Sequence, residues 1–167
     1  CTNRSTSSEQ DEMRHWNNVL QQINALLLEN KARQTLDLAK QTLPEILESA
    51  EKNGTTDTLI YYARKIFNAC GNNYINTKQY KDGIDYMDSI GNHPLIREHC
   101  PHELLSFKAG LNQLYGNNPE AVRLAEDYLQ LPVCTSANDF IRQAEIISGV
   151  YMYSGNNLPK AIQILEK

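Results

Sequence analysis

Five side chains that could bind a metal ion lie within eleven residues of this 167-residue sequence: His93, His99, Cys100, His102 and Glu103. Zinc is held in proteins by tetrahedral sets of such nitrogen, sulfur and oxygen atoms. The spacing matches no standard ligand pattern, however, and Pro101 separates the loop from the helix that follows. The sequence therefore favours an ordinary polar connection between helices, and we predict no metal and no cofactor.

Cysteine offers a second kind of chemistry. Cys100 and Cys134 each precede the first helix of a predicted helix pair and lie 34 residues apart. Stacked pairs would bring their loops together, and a disulfide could form in an oxidising compartment if the Cα atoms came within about 7 Å. Two unbonded thiols are the alternative. Cys70 falls at a core position and is expected to act as a small buried hydrophobic residue.

Motifs for catalysis and for nucleic-acid binding are not found. The sequence shows no Gly-rich phosphate loop and no Ser-His-Asp arrangement. Its acidic pairs at helical spacing, such as Glu48 with Glu51 and Asp82 with Asp85, are typical of solvated helix faces. The 16 basic and 20 acidic residues form no basic stripe, which argues against a nucleic-acid partner. We predict a protein that is not an enzyme.

Apolar residues recur at helical spacing along most of the chain, which predicts eight helices and no strand. The second helix is expected to continue through Pro44 with a kink and to end at Asn53-Gly54. Thr56 or Asp57 should cap the third helix, and Ser136 should cap the seventh. Residues 92–100 are predicted to form a loop with one irregular turn around Leu95 and Ile96.

Two short sequence segments in the C-terminal half of the chain resemble each other. Gly116-Asn117-Asn118-Pro119 resembles Gly155-Asn156-Asn157-Leu158-Pro159, and both place a proline just inside a helix after an asparagine that could cap it. Gly83, Ala121 and Ala161 occupy equivalent places, 38 and 40 residues apart. Periods of this size are typical of stacked helix pairs.

The stretch 67–90 resembles one tetratricopeptide repeat. The large, small and aromatic positions of that motif are matched by Phe67, Gly71, Tyr74, Tyr80 and Gly83, and more loosely by Met87 and Ile90. The resemblance extends over about residues 58–167. It implies an all-α, right-handed α-solenoid of about four antiparallel helix hairpins over residues 12–167, in which Gly71 and Gly83 let two helices pack closely. The chain ends inside its last repeat, which would be completed by further sequence or by self-association.

In tetratricopeptide arrays the first helix of each pair lines a concave groove. By this resemblance the groove residues would be Lys65, Asn68, Asn72, Asn76, Ser106, Gly110, Gln113, Gln143, Val150 and Tyr153. A row of amides could bind a peptide backbone or sugar hydroxyl groups, and a solvated polar face is the alternative. Tyr61 and Tyr153 are expected to be exposed, whereas helical spacing places Tyr62, Tyr74 and Tyr151 in the core.

Residues 1–8 resemble the start of a mature bacterial lipoprotein, with an acylated Cys1 followed by a polar tether. Residues 1–11 are rich in Ser, Thr, Asn and Gln without apolar periodicity, and this composition predicts a disordered segment. The resemblance implies the periplasm or outer envelope surface of a Gram-negative bacterium, with the membrane reached only through the lipid anchor; a cysteine that stands first by chance is the alternative. We expect a non-catalytic envelope module that binds a protein or peptide. The extracytoplasmic sensor portion of a histidine kinase or transcriptional regulator, and a glycan-binding lipoprotein, are the alternatives.

Overall fold

The computed structural model describes residues 5–132 and 137–166, with side chains described over 8–132 and 140–166. Within these ranges every regular element is an α-helix, which confirms the all-α prediction. The nine helices are α1 (Ser5–Leu28), α2 (Ala32–Asn53), α3 (Asp57–Asn76), α4 (Tyr80–Ile90), α5 (Pro94–His99), α6 (Pro101–Tyr115), α7 (Asn118–Gln130), α8 (Ala137–Tyr153) and α9 (Leu158–Leu165).

The chain divides into two compact units. Unit 1 is Cys1–Thr77 and contains α1 to α3, and unit 2 is Lys78–Lys167 and contains α4 to α9. The boundary falls inside the stretch 67–90, which resembles a single repeat in sequence. Gly71 and Gly83 are both buried, but they belong to different units.

Unit 1 is a three-helix arrangement in which α2 packs against both α1 and α3. Trp16 on α1 is 3% exposed, and its ring lies 5.8 Å from that of Tyr62 on α3. Ser49 Oγ on α2 donates a 2.8 Å hydrogen bond to the Glu12 carboxylate on α1. This bond gives the early part of α1 a partner on the neighbouring helix.

The start of α1 differs from the sequence prediction. The helix begins at Ser5 and therefore includes residues 5–11, whose polar composition predicts a disordered tether. Polar composition does not exclude a helix, because polar side chains remain solvated on its outer face while Trp16, Val19 and Ile23 bury the other face. Cys1 lies outside the described residues.

The ends of α2 and α3 follow local rules and are confirmed. Helix α2 continues through Pro44, where the neighbouring Leu43 and Ile46 are fully buried. It ends at Gly54, which has a φ of 86°, a value that glycine adopts without a Cβ clash. The Thr56 side chain then accepts a 3.2 Å hydrogen bond from Leu59 N and caps α3.

Unit 2 is built from helix pairs. Helix α6 packs against α7, α8 packs against α9, and α6 also packs against α8 and α4. A Cβ atom at Gly110 on α6 would lie 2.7 Å from Ile146 Cγ2 on α8. The missing side chain therefore lets these two helices approach. The core between the pairs includes Ala121, Leu124, Ile147, Val150 and Ala161.

The segment predicted to be a loop contains a further helix, so the described part of the chain has nine helices and not eight. Pro94 begins α5, and His93 Nδ1 accepts a 3.2 Å hydrogen bond from Leu95 N. Leu95 and Ile96 are buried, and α5 packs on α6 within unit 2. Tertiary burial of these two apolar residues stabilises a helix that is too short to be read from periodicity.

The two similar sequence segments each begin a helix, but the two helices are capped differently. Asn157 Oδ1 accepts a 3.1 Å hydrogen bond from Lys160 N at the start of α9. Asn117 makes no such bond at the start of α7, and its amide instead donates to Asn112 Oδ1 at 3.3 Å. The predicted cap Ser136 lies outside the described residues.

Candidate binding site

The predicted groove residues of unit 1 form a polar stripe on α3. Lys65 and Asn76 are exposed, and Asn68 and Asn72 are half-buried. The Lys65 ammonium group lies 5.8 Å from the ring centroid of Tyr61, and Tyr61 is 52% exposed, as the sequence predicts. The stripe is accessible in unit 1 and carries one aromatic ring beside it.

Most of the predicted groove residues of unit 2 are buried. Ser106 is fully buried and donates a 3.0 Å hydrogen bond to the Glu103 carbonyl group, and Gln143 is 4% exposed. These side chains contact neighbouring parts of unit 2 and are not presented to solvent. Gly110 and Val150 are buried as well, Gln113 is half-buried and Tyr153 is 72% exposed.

The tyrosine predictions are confirmed at most positions. Tyr74 and Tyr151 are core residues at 2% and 5% exposure, and Tyr62 is half-buried. Burial raises the pKa of Tyr151, with a smaller contribution from the negative charge of Glu126. Tyr153 lies two residues further along α8, which places it on the other side of the helix, with its ring in solvent while Tyr151 fills the core.

The potential metal ligands have separate structural roles. His93 caps α5, and His102 Nε2 lies 2.6 Å from the Pro132 carbonyl oxygen. Cys100 is buried between α5 and α6, and its suggested disulfide partner, Cys134, lies outside the described residues. Among the described residues no group of three or more His, Cys, Asp or Glu side chains is placed to hold a metal ion.

A pocket of about 390 Å³ lies in unit 2, where the first turn of α6, the end of α7, the first half of α8 and α9 meet. This volume is within the range of about 300–1,000 Å³ found for small-molecule sites. Lys160 and Gln163 on α9 contribute polar side chains to its lining. The described wall is otherwise mainly aromatic and aliphatic: His102, Tyr128, Leu129, Leu131, Pro132, Phe140, Ala144 and Ile164.

One wall of the pocket is held by a buried hydrogen bond and a ring contact. The Tyr128 hydroxyl group donates a 2.8 Å hydrogen bond to Gln143 Oε1, and the His102 ring packs edge-on against the Tyr128 ring at 5.8 Å. Gln143 Nε2 is buried without a hydrogen-bond partner. An unpaired buried amide donor is unfavourable, so this atom lowers the stability of the wall.

A smaller pocket of about 290 Å³ lies in unit 1, beside Met13, Trp16 and Leu59. Of its polar lining residues, Ser49 donates a hydrogen bond to Glu12 and accepts one of 3.3 Å from Asn53.

The second prominent surface of unit 2 is an exposed apolar stripe on α9, formed by Leu158, Ile162 and Leu165. These side chains are 53%, 45% and 55% exposed and are spaced by four and three residues along one helix face. Ala161 and Ile164 lie beside this stripe on the helix surface and are buried in the core. The apolar residues of α9 thus form one wide band, and the core covers only one edge of it.

Sequence reasoning missed the unit 2 pocket. None of the ten residues predicted to line the concave groove lines this pocket, although Gln143 supports Tyr128 from behind. The available signals were His102, which was considered as a potential metal ligand, and the aromatic residues Tyr128 and Phe140. Each lies on a different helix, so no single stretch of sequence shows them as a group.

Comparisons with known proteins add no relative: no protein-family model, curated protein or solved structure matches the chain. In the part of the chain that the structure describes, no helix combines the length and the apolar character needed to cross a bilayer.

Proposed function

We propose that this chain is a non-catalytic helical-repeat module that binds a protein or peptide through unit 2. The apolar stripe of α9 is the observation that carries the proposal. A surface helix of a globular protein normally needs one apolar face, which it turns to the core. An apolar band that extends beyond the part covered by the core, and that is bordered by polar residues, is typical of a protein-binding surface.

The packing of unit 2 supports a repeat architecture. Helices α6 and α8 each pack on the helix that follows, and they also pack on each other. Stacked helix pairs require these neighbour contacts. We infer that the pairs follow the right-handed superhelical path implied by the tetratricopeptide resemblance, with α9 as the second helix of its pair.

The partner chemistry follows from the stripe. Leu158, Ile162 and Leu165 repeat with the spacing of one helix face, which suits the apolar face of an amphipathic helix. Helix α9 has eight residues, so it is about 12 Å long and offers about two turns of contact. A surface this short supports a transient interaction of micromolar strength.

The proposal includes an envelope location. Its support is the resemblance of residues 1–8 to a mature lipoprotein. The corresponding test is incorporation of labelled palmitate into the full-length gene product in cells. Incorporation that is lost in Cys1→Ser is expected, and equal labelling of the variant would contradict lipidation at this residue.

The binding proposal is tested with peptides selected from a display library against the wild-type chain. We expect enriched peptides with apolar residues at helical spacing. Their affinity, measured by isothermal titration calorimetry, should fall at least about tenfold in the double variant Leu158→Gln/Ile162→Gln, because interface energy is concentrated in a few apolar anchors.

The matched control is Leu114→Gln, since Leu114 is 39% exposed on α6 and does not belong to the stripe. The control should bind like the wild type. Failure to enrich any peptide, or equal affinity of the stripe variant, would contradict the proposal. Analytical ultracentrifugation adds a further outcome: a dimer that disappears in the stripe variant would show that the stripe serves self-association and not peptide binding.

A further inference from the structure

We propose that the unit 2 pocket binds a small amphiphilic carboxylate, with its apolar chain or ring against the aromatic wall and its carboxylate at Lys160. This site lies outside the predicted groove and differs from the α9 stripe. It therefore goes beyond the protein-binding function proposed above.

The shape and lining of the pocket favour an apolar ligand. The rings of Tyr128 and Phe140 and the aliphatic side chain of Ile164 form much of the wall. With about 390 Å³, the pocket is at the small end of the range for ligand sites and suits one short chain or one ring system. Burial of that apolar surface supplies the main driving force.

The charge of the lining selects the polar end of the ligand. Among the described lining residues Lys160 is the one lysine or arginine, and none is an aspartate or a glutamate. Lys160 is half-buried, which strengthens its attraction for an anion relative to a fully solvated lysine. A ligand carboxylate at this end would pair with the Lys160 ammonium group, which has no acidic neighbour among the described lining residues.

The polar contacts behind the wall keep the pocket in shape. The Tyr128 hydroxyl bond to Gln143 sets the position of the aromatic ring, and the contact of His102 Nε2 with the Pro132 carbonyl oxygen ties α6 to the end of the α7 segment. Rigid placement of pocket residues reduces the ordering cost of binding. The pocket is therefore largely formed before a ligand arrives.

The test uses two matched pairs of probes with the intact chain. Octanoate and octanamide differ in charge on an aliphatic chain, and N-acetyl-phenylalanine and its amide differ in charge on a peptide-like residue. Two-dimensional NMR titrations give the affinity of each and the residues that shift. Both carboxylates at millimolar concentration should shift Tyr128, Phe140 and Ile164 more strongly than their amides do. Stronger binding of octanoate or of N-acetyl-phenylalanine tells whether a fatty acid or a peptide C-terminus is the better source.

Two variants distinguish the charge from the cavity. Lys160→Gln should weaken carboxylate binding about fivefold, as expected for one partly exposed charge pair, and leave amide binding unchanged. Ala144→Leu should weaken all four probes, because Ala144 lines the pocket and a larger side chain fills it. Lys81→Gln is the control, since Lys81 pairs with Asp85 on α4 and does not line the pocket.

Three results would overturn the proposal: shifts confined to other residues, no shifts in the millimolar range, or equal affinity of the carboxylates and their amides in the wild type. If Ala144→Leu fails to fold, as judged by circular dichroism, Lys160→Gln still decides the question. Because the probes and variants avoid Leu158, Ile162 and Leu165, failure here leaves the α9 proposal intact.

Discussion

At the scale of single residues, unit 2 contains a buried polar pair whose energetic role can be measured. Tyr128 and Gln143 bond at 2.8 Å, while Gln143 Nε2 has no partner. A paired buried group contributes modestly to stability, whereas an orphaned one is costly. The hydrogen bond therefore contributes to the stability of unit 2 mainly because, without it, both polar atoms of the Gln143 amide would be buried and unpaired.

The Tyr128→Phe variant should lower the free energy of unfolding by about 1–2 kcal/mol, because it leaves both ends of the Gln143 amide unpaired. Urea denaturation followed by circular dichroism measures the change. The double variant Tyr128→Phe/Gln143→Met should recover most of the loss, since it replaces both polar partners by apolar groups of similar size. A double variant as unstable as the sum of its single changes would contradict this account.

Gly110 provides a second residue-scale prediction. In Gly110→Ala, a Cβ atom would meet Ile146 Cγ2 at 2.7 Å, and this methyl group sits on a stiff β-branched side chain. We expect a net loss of about 1 kcal/mol in urea denaturation, because the overpacking exceeds the helix propensity gained from alanine.

The control for Gly110 is Gly149 on α8, where an added Cβ meets nothing within 4 Å. Gly149→Ala should stabilise the protein by about 0.5–1 kcal/mol through helix propensity alone. Opposite signs for the two glycines are the expected pattern. Stabilisation in both would show that α6 and α8 do not pack closely at Gly110.

Residue-level sequence reasoning succeeds where one side chain decides the outcome. The exposure of Tyr61 and Tyr153 and the burial of Tyr74 and Tyr151 follow from their places on the helical stripe. It does less well for Gln143, because an amide is normally a surface residue. Its burial depends on Tyr128, which lies on another helix.

At the scale of elements, the repeated phrases before α7 and α9 allow a direct comparison of two helix starts. Asn157→Ala should cost about 1 kcal/mol, because it removes the hydrogen bond to Lys160 N. Asn117→Ala removes no capping bond at α7 and loses only the long 3.3 Å contact with Asn112 Oδ1, so it should cost less than half as much. Thermal denaturation of the two variants checks this difference, and equal losses would contradict the assigned caps.

Element boundaries were predictable where local chemistry determines them. Gly54 ends α2, Thr56 caps α3 and Pro101 begins α6, and each depends on neighbours in sequence. Helix α5 was missed because six residues give too little periodicity, and its burial comes from packing on α6. The early start of α1 was missed because the Glu12 bond to Ser49 joins residues 37 positions apart.

At the scale of the whole molecule, the all-α class was predictable, since apolar spacing favoured helices along the chain. The division between Thr77 and Lys78 was not, because the strongest repeat-like stretch spans it. The unit 2 pocket was also beyond sequence reasoning. Its residues come from four helices, and each looks like an ordinary core or surface position in its own helix.

The two proposed sites lie on different parts of unit 2, one on an outward helix face and the other in a pocket. Leu158, Ile162 and Leu165 lie on the exposed side of α9, while Lys160 and Ile164 contribute to the pocket. Since both sites share this short helix, we expect each to be sensitive to the stability of α9. Variants should therefore be compared only after their folding has been checked.

The most direct test of the central claim is an NMR map of a library-selected peptide bound to the intact chain. The account predicts that the largest chemical-shift changes fall on Leu158, Ile162 and Leu165, and that the changes disappear in Leu158→Gln/Ile162→Gln. Changes centred on the polar stripe of α3, at Asn68 and Asn72, and unaffected by that double variant would contradict it.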